Sequence, residues 1–250
     1  MIQKLKSWLL DSLGIDPPED SMTLPNSDQS PVTQEWEILL IGAESDELTG
    51  ILCHYLDELD LPSEFSSRRL IGTIVAREEV VLLLDSIKGK KRIKIFCGHG
   101  SETALLGLPK TDTPLVRIDG RDFSSIYDED LIGIDQSALF ALCCNAGQSL
   151  GSKFISITGR TFMGYSGRIG FDLSDEQCRR VWKKIIQTIC TEIAKDGYIG
   201  VHHEATLRQL YDDAIDYFRN GEGKDNDRAI GTILNLMQHK KRLLRLESGV

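Results

Sequence analysis

The strongest constraint on the fold is a set of short apolar runs, each stopped at or near glycine, that alternate with helix-length amphipathic stretches. Glu37-Ile38-Leu39-Leu40-Ile41 ends at Gly42. Arg92-Ile93-Lys94-Ile95-Phe96 leads into Cys97-Gly98-His99-Gly100. Leu139-Phe140-Ala141-Leu142-Cys143 leads into Cys144-Asn145-Ala146-Gly147. Mostly apolar runs of this length, the second an apolar-basic mix with Arg92 and Lys94, suit buried strands. Strands that alternate with helices predict an α/β fold with a mostly parallel central sheet flanked by helices. In such sheets reactive groups collect at the carboxyl ends of the strands. His99 and Cys144 both fall there.

The remaining pattern fills in around this sheet. Ser45 is placed to cap a helix through about Leu59, with Asp46 and Glu47 in its first turn. Residues 70–75 read as a strand, 76–87 as a helix, and 116–133 as short and irregular. Two further strands are expected at Phe154–Ile157 and Arg168–Phe171. Ser174, with Gln177 three residues on, predicts a capping box for a helix to about Lys195. Residues 203–219 and 226–246 read as helices, split at Asn220-Gly221-Glu222-Gly223. Residues 2–13 form an amphipathic helix, with Ile2, Leu5, Trp8, Leu9 and Leu13 near one face. Residues 16–34, rich in Pro, Ser, Asp and Asn, read as a flexible linker. The expected division is therefore an arm over 1–34 and a catalytic-sized domain with C-terminal helices over 35–250.

Composition removes several classes of function. The net charge is −9, which disfavours broad nucleic-acid binding. The basic run Lys88 to Lys94 reads as a solvated turn entering a strand. No apolar run approaches the length of a membrane span, and no apolar stretch follows Lys4 and Lys6 as in a signal peptide. The six cysteines are scattered, without a C-x-x-C pair, as in a reducing compartment. A cytoplasmic location follows as the expectation. The helix at 2–13 is a candidate arm for a regulatory partner, or docks back on its own domain.

A cysteine and a histidine delivered to two strand ends suggest a nucleophile and its base. An ordinary thiol is mostly protonated at neutral pH, so a nearby imidazole that accepts its proton raises reactivity. Strand alternation turns Cys143 and Cys144 to opposite faces, which makes Cys143 the buried neighbour. The blocks Cys97-Gly98-His99-Gly100 and Cys144-Asn145-Ala146-Gly147 resemble those of the caspase, metacaspase and CHAT clan of cysteine peptidases. There an apolar strand ends in His-Gly and a later one ends in the nucleophilic Cys. Cys144 follows His99 by 45 positions, against about 50 in caspases. The glycine at 147 favours the metacaspase or CHAT branch.

The resemblance, over about residues 36–175, implies a caspase-like fold and a cysteine endopeptidase acting on protein substrates. It implies a His99/Cys144 dyad with the backbone N–H groups of Gly100 and Cys144 as oxyanion donors, and it implies no cofactor. It further implies a role in regulated proteolysis such as defence or cell death. Leu142 stands two places before Cys144, where the family shapes its substrate pocket with other residue types. That departure leaves the cleavage preference open. Acidic clusters at Asp128-Glu129-Asp130 and at Asp172, Asp175 and Glu176 can read a basic substrate residue or serve as solvated caps; Asp172 is the pocket candidate among them.

Three alternatives stand beside this reading. One is a non-catalytic caspase-like scaffold that binds a partner. Another is a serine hydrolase using Ser149 in Gly147-Gln148-Ser149-Leu150-Gly151. That elbow needs a strand running into the first Gly and a helix after it, and the strand expected at Phe154 leaves little room for the helix. A third is a metal site among Cys97, His99, Cys143, Cys144, His202 and His203. It lacks the paired spacing of structural zinc, so no metal is expected, and His202-His203 reads as a helix start.

Overall fold

The computed structural model describes residues 38–61, 63, 67–72, 92–106, 117–118, 121–122, 125–127 and 137–248, all within the compact unit Gln34–Val250. The expected helix at 2–13, the linker at 16–34, the helix at 76–87 and the acidic cluster at 128–130 lie outside them.

A six-stranded sheet organises the unit. It is built from β1 (Ile38–Ala43), β2 (Ser67–Gly72), β3 (Arg92–Cys97), β9 (Ser137–Leu142), β10 (Phe162–Tyr165) and β11 (Leu243–Leu246). The order across the sheet is β2-β1-β3-β9-β10-β11. The first five run parallel and β11 is antiparallel to β10. Every residue of β1 is buried, as a run of Ile and Leu sandwiched between two layers requires. Short strands β4 (His99–Gly100), β5 (Ala104–Leu106) and β8 (Ser125–Tyr127) form a small antiparallel sheet. β6 (Arg117–Ile118) pairs with β7 (Arg121–Asp122).

The helices among the described residues are α1 (Glu47–Asp57), α2 (Ser149–Thr158), α3 (Glu176–Asp196), α4 (Val201–Arg219) and α5 (Ala229–Arg242). Strand alternation sorts the core into two. Ile38, Leu40, Ile95, Phe140, Leu142 and Tyr165 pack with residues of α1, α3, α4 and α5. Leu39, Ile41, Phe96, Leu139 and Cys143 pack with Leu150 and Phe154 of α2. The sheet is thus covered on both faces. None of the described helices is long and apolar enough to cross a membrane.

Several local expectations differ from what forms. Phe154–Ile157 is helical, within α2. Leu150 and Phe154 are one helical turn apart and both fully buried, so a short apolar run satisfied either period until its neighbours chose. The expected strand at Arg168–Phe171 is irregular, and β10 forms instead at Phe162–Tyr165. The last expected helix stops at Arg242, where Leu243 turns extended (φ −61, ψ 131). Leu243–Leu246 then pairs with β10, covering an edge that would otherwise present unpaired backbone groups. The cap of α3 is Asp175 rather than Ser174; its carboxylate accepts from the N–H groups of Gln177 and Cys178.

Candidate active site

Parallel strands β3 and β9 are neighbours, with Cys97 paired to Leu142. His99 stands two residues beyond Cys97, and Cys144 stands two residues beyond Leu142. Both residues therefore follow the carboxyl ends of adjacent strands by the same two-residue step. Their loops are in close packing. A Cβ on Gly100 would lie 2.6 Å from Cys143 Sγ and 2.7 Å from the Cys144 carbonyl oxygen, closer than any side chain tolerates. The N–H of Leu150 also donates to the Glu102 carbonyl (2.7 Å), tying the start of α2 to the loop after His99.

Cys144 and Cys143 have separated as alternation predicts. Cys143 is 2 % exposed, and burial pushes its thiol well above the ordinary range. Cys144 is the one cysteine of the six that is not buried. Asn145, directly after it, is the non-glycine residue with positive φ (60°) among those described. The chain turns sharply there, and side chains resist that conformation. The turn is held by Asn145 N–H on the Gly167 carbonyl (3.0 Å) and Gly147 N–H on the Tyr165 carbonyl (3.0 Å).

The structure packs Gly100 against Cys143 and Cys144, while the imidazole of His99 and the thiol of Cys144 each bond elsewhere. Cys144 Sγ accepts the Ile169 N–H (3.3 Å) and donates to the Ile169 carbonyl (3.5 Å). His99 Nε2 is 2.9 Å from Asp46 Oδ2. Asp46 follows β1, the other neighbour of β3. Sequence reading placed it only as a first-turn acid. The signal that could have found it is its position just past a strand end, next to the strand that carries the histidine. Three consecutive strands, β9, β3 and β1, thus present Cys, His and Asp in spatial order. β1 and β3 are also where the strand order reverses, the place where open α/β sheets bind ligands.

The other candidates separate. Leu142 is 4 % exposed and belongs to the core cluster under α3, so of the two pocket candidates only Asp172 reaches the surface. Asp172 accepts from the Ser174 hydroxyl (2.7 Å) and N–H (3.3 Å). It lies three residues beyond Ile169, on the segment that touches the thiol. Ser149 begins α2, seven residues past the end of β9. A helix does follow it, but the strained turn sits at Asn145 and no strand runs into Gly147. His202 and His203 do begin a helix, α4. With Asp196 they form the one trio of ligand-type side chains found among the described residues. Nδ1 of His203 accepts the Gly200 N–H (3.0 Å), which leaves the ring proton on Nε2, the atom facing Asp196 (3.3 Å). Within the trio His202 Nε2 is hydrogen-bonded to Asp196 Oδ2 (2.7 Å), whereas the buried Nε2 of His203 has no hydrogen-bond partner among the described residues.

Gly170, the residue after Ile169, is held by His239 of α5. His239 is fully buried, edge-on to Tyr165 and Phe171, and its Nε2 is 3.0 Å from the Gly170 carbonyl. Burial pushes its pKa down from 6.5 to about 3; the Gly170 bond opposes this and the Arg242 charge adds to it. The unfolded chain takes up this proton near pH 6.5 and the native chain does not until about pH 3. Its contribution is therefore complete above pH 6.5 and is lost as pH falls toward 3. At about 1.4 kcal/mol per unit, the loss at pH 4.5 is about 2–3 kcal/mol. Denaturation curves between pH 7 and 4.5 should show that slope, and His239→Phe should flatten it by about one proton.

Comparison with protein-family models and with curated proteins gives no match for this chain.

Proposed function

We propose that this chain is a cysteine endopeptidase of the caspase-like kind, with Cys144 as nucleophile and His99 as base. The observation that supports it most is the matched step of His99 and Cys144 past the paired residues Cys97 and Leu142. A base and a nucleophile that follow adjacent parallel strands by the same two-residue step suit attack on one peptide carbonyl.

In this reading the imidazole takes the thiol proton as Sγ attacks the carbonyl carbon. The N–H groups of Gly100 and Cys144 receive the oxyanion, a contribution of about 3–4 kcal/mol per donor in comparable sites. The C–N bond breaks and the imidazolium returns the proton to the leaving amine. Water then hydrolyses the thioester with His99 as base again. The thiol must first leave the Ile169 carbonyl, while the Ile169 N–H is a donor that a thiolate also accepts. Asp172 is the acidic group available for a basic residue of the substrate. No cofactor enters these steps.

The test is cleavage of a denatured protein mixture by the purified chain, before and after iodoacetamide. Native-state alkylation should add one carbamidomethyl group, at Cys144, because the other five thiols are buried. Cleavage should stop with that adduct. Cleavage that persists in fully alkylated protein would remove the thiol from the chemistry, and loss on Ser149→Ala alone would favour the serine hydrolase.

A further inference from the structure

His99 sits on a two-residue strand at the surface with its side chain 43 % exposed. Nothing in its own loop fixes the ring. The group that meets it is rigid. Asp46 is the N-cap of α1, and its Oδ1 accepts from the Thr49 N–H (2.8 Å) and hydroxyl (2.9 Å). Thr49 is buried, and its hydroxyl oxygen in turn accepts the N–H groups of Ser45 (2.8 Å) and Asp46 (2.9 Å). One carboxylate oxygen is thereby locked to the helix, which aims the other, Oδ2, at His99 Nε2.

The carboxylate is also held ionised. Partial burial pushes it up, but the Thr49 N–H, the His99 ring and the Thr49 hydroxyl together hold it below its ordinary value. An ionised carboxylate only accepts hydrogen bonds. The proton of a neutral His99 ring must then sit on Nε2, which leaves Nδ1 as the basic nitrogen.

We propose that Asp46 is a positioning residue for His99, completing a Cys144–His99–Asp46 relay along β9, β3 and β1 in which the α1 capping box fixes the imidazole with Nδ1 free for the thiol proton. The assignment rests on the cysteine-peptidase reading. At this exposure the pair adds little to stability, so its effect belongs in turnover.

The test uses Asp46→Ser, which keeps an N-cap side chain and cannot reach the ring, with Asp46→Asn as a second cap-preserving variant. Wild type should show His99 in the Nε2–H tautomer in two-bond ¹⁵N–¹H spectra, and Asp46→Ser should lose that preference. The same variant should lower kcat about 100-fold or more with KM within about twofold, at nearly unchanged melting temperature. An unchanged tautomer, or kcat within threefold of wild type, overturns the proposal. Wild-type cleavage no greater than that of Cys144→Ala would instead sink the peptidase reading. The tautomer result would then still decide whether Asp46 holds the ring.

Discussion

Cys144→Ala is expected to reduce kcat at least about 10⁴-fold, because on the proposed cysteine-peptidase mechanism it removes the atom that forms the covalent intermediate and leaves only what binding and the oxyanion donors supply. The fold should survive. Cys144 lies outside both core clusters, and its sulfur makes only weak bonds to Ile169. Cys143→Ala should show the opposite pattern. Cys143 is packed beside Phe96 and Ala141 in the cluster under α2, so its loss should cost stability on the order of 1 kcal/mol and leave turnover within a fewfold. Steady-state kinetics and thermal melts on the two variants separate the roles. Equal activity in wild type and Cys144→Ala would end the assignment of the nucleophile.

Gly100→Ala should damage both stability and turnover, although alanine is the smallest change available. The new methyl would meet Cys143 Sγ at 2.6 Å, the Cys144 carbonyl oxygen at 2.7 Å and Cys143 Cβ at 3.0 Å. Two of these atoms belong to a buried residue and the third to the backbone, so none can swing aside. The β4 and Cys144 loops must part. Overpacking of this kind costs about 1–3 kcal/mol. Displacement by about 1 Å at the reacting groups costs about 100-fold in rate. Chemical denaturation and kcat measured together check this: a variant as stable and as active as wild type would show that the loops do not need their close approach.

The two reactive strands were legible because each carries its evidence locally. Ile93, Ile95 and Phe96, interrupted only by Lys94, and Leu139, Phe140 and Ala141, without interruption, are apolar, and all are buried. The buried position of Cys143 followed from the two-residue period of a strand. The helices with strong caps were also legible, within one residue: Asp46 and Asp175 took the roles given to Ser45 and Ser174. A carboxylate reaches the N–H groups of the first turn from one position later, and both pairs offered that choice.

The misread elements share one cause. Phe154-Ile155-Ser156-Ile157 and Leu243-Leu244-Arg245-Leu246 are short, and each fits a helix or a strand. The first became helix because Leu150 and Phe154 fill the same layer under the sheet. The second became strand because the open edge of β10 needed a partner.

A mostly parallel α/β sheet, and a histidine and a cysteine that follow two of its strands, can be read from the amino-acid pattern. Both are properties of short windows, where hydrophobic period and glycine act without distant help. That those two strands are adjacent, that the thiol rests on Ile169 and that Asp46 meets His99 emerge from the folded arrangement alone. Strand order and register are set by pairing between segments 45 and 55 residues apart. The partner of a side chain at a strand end is whatever the neighbouring strand happens to deliver there.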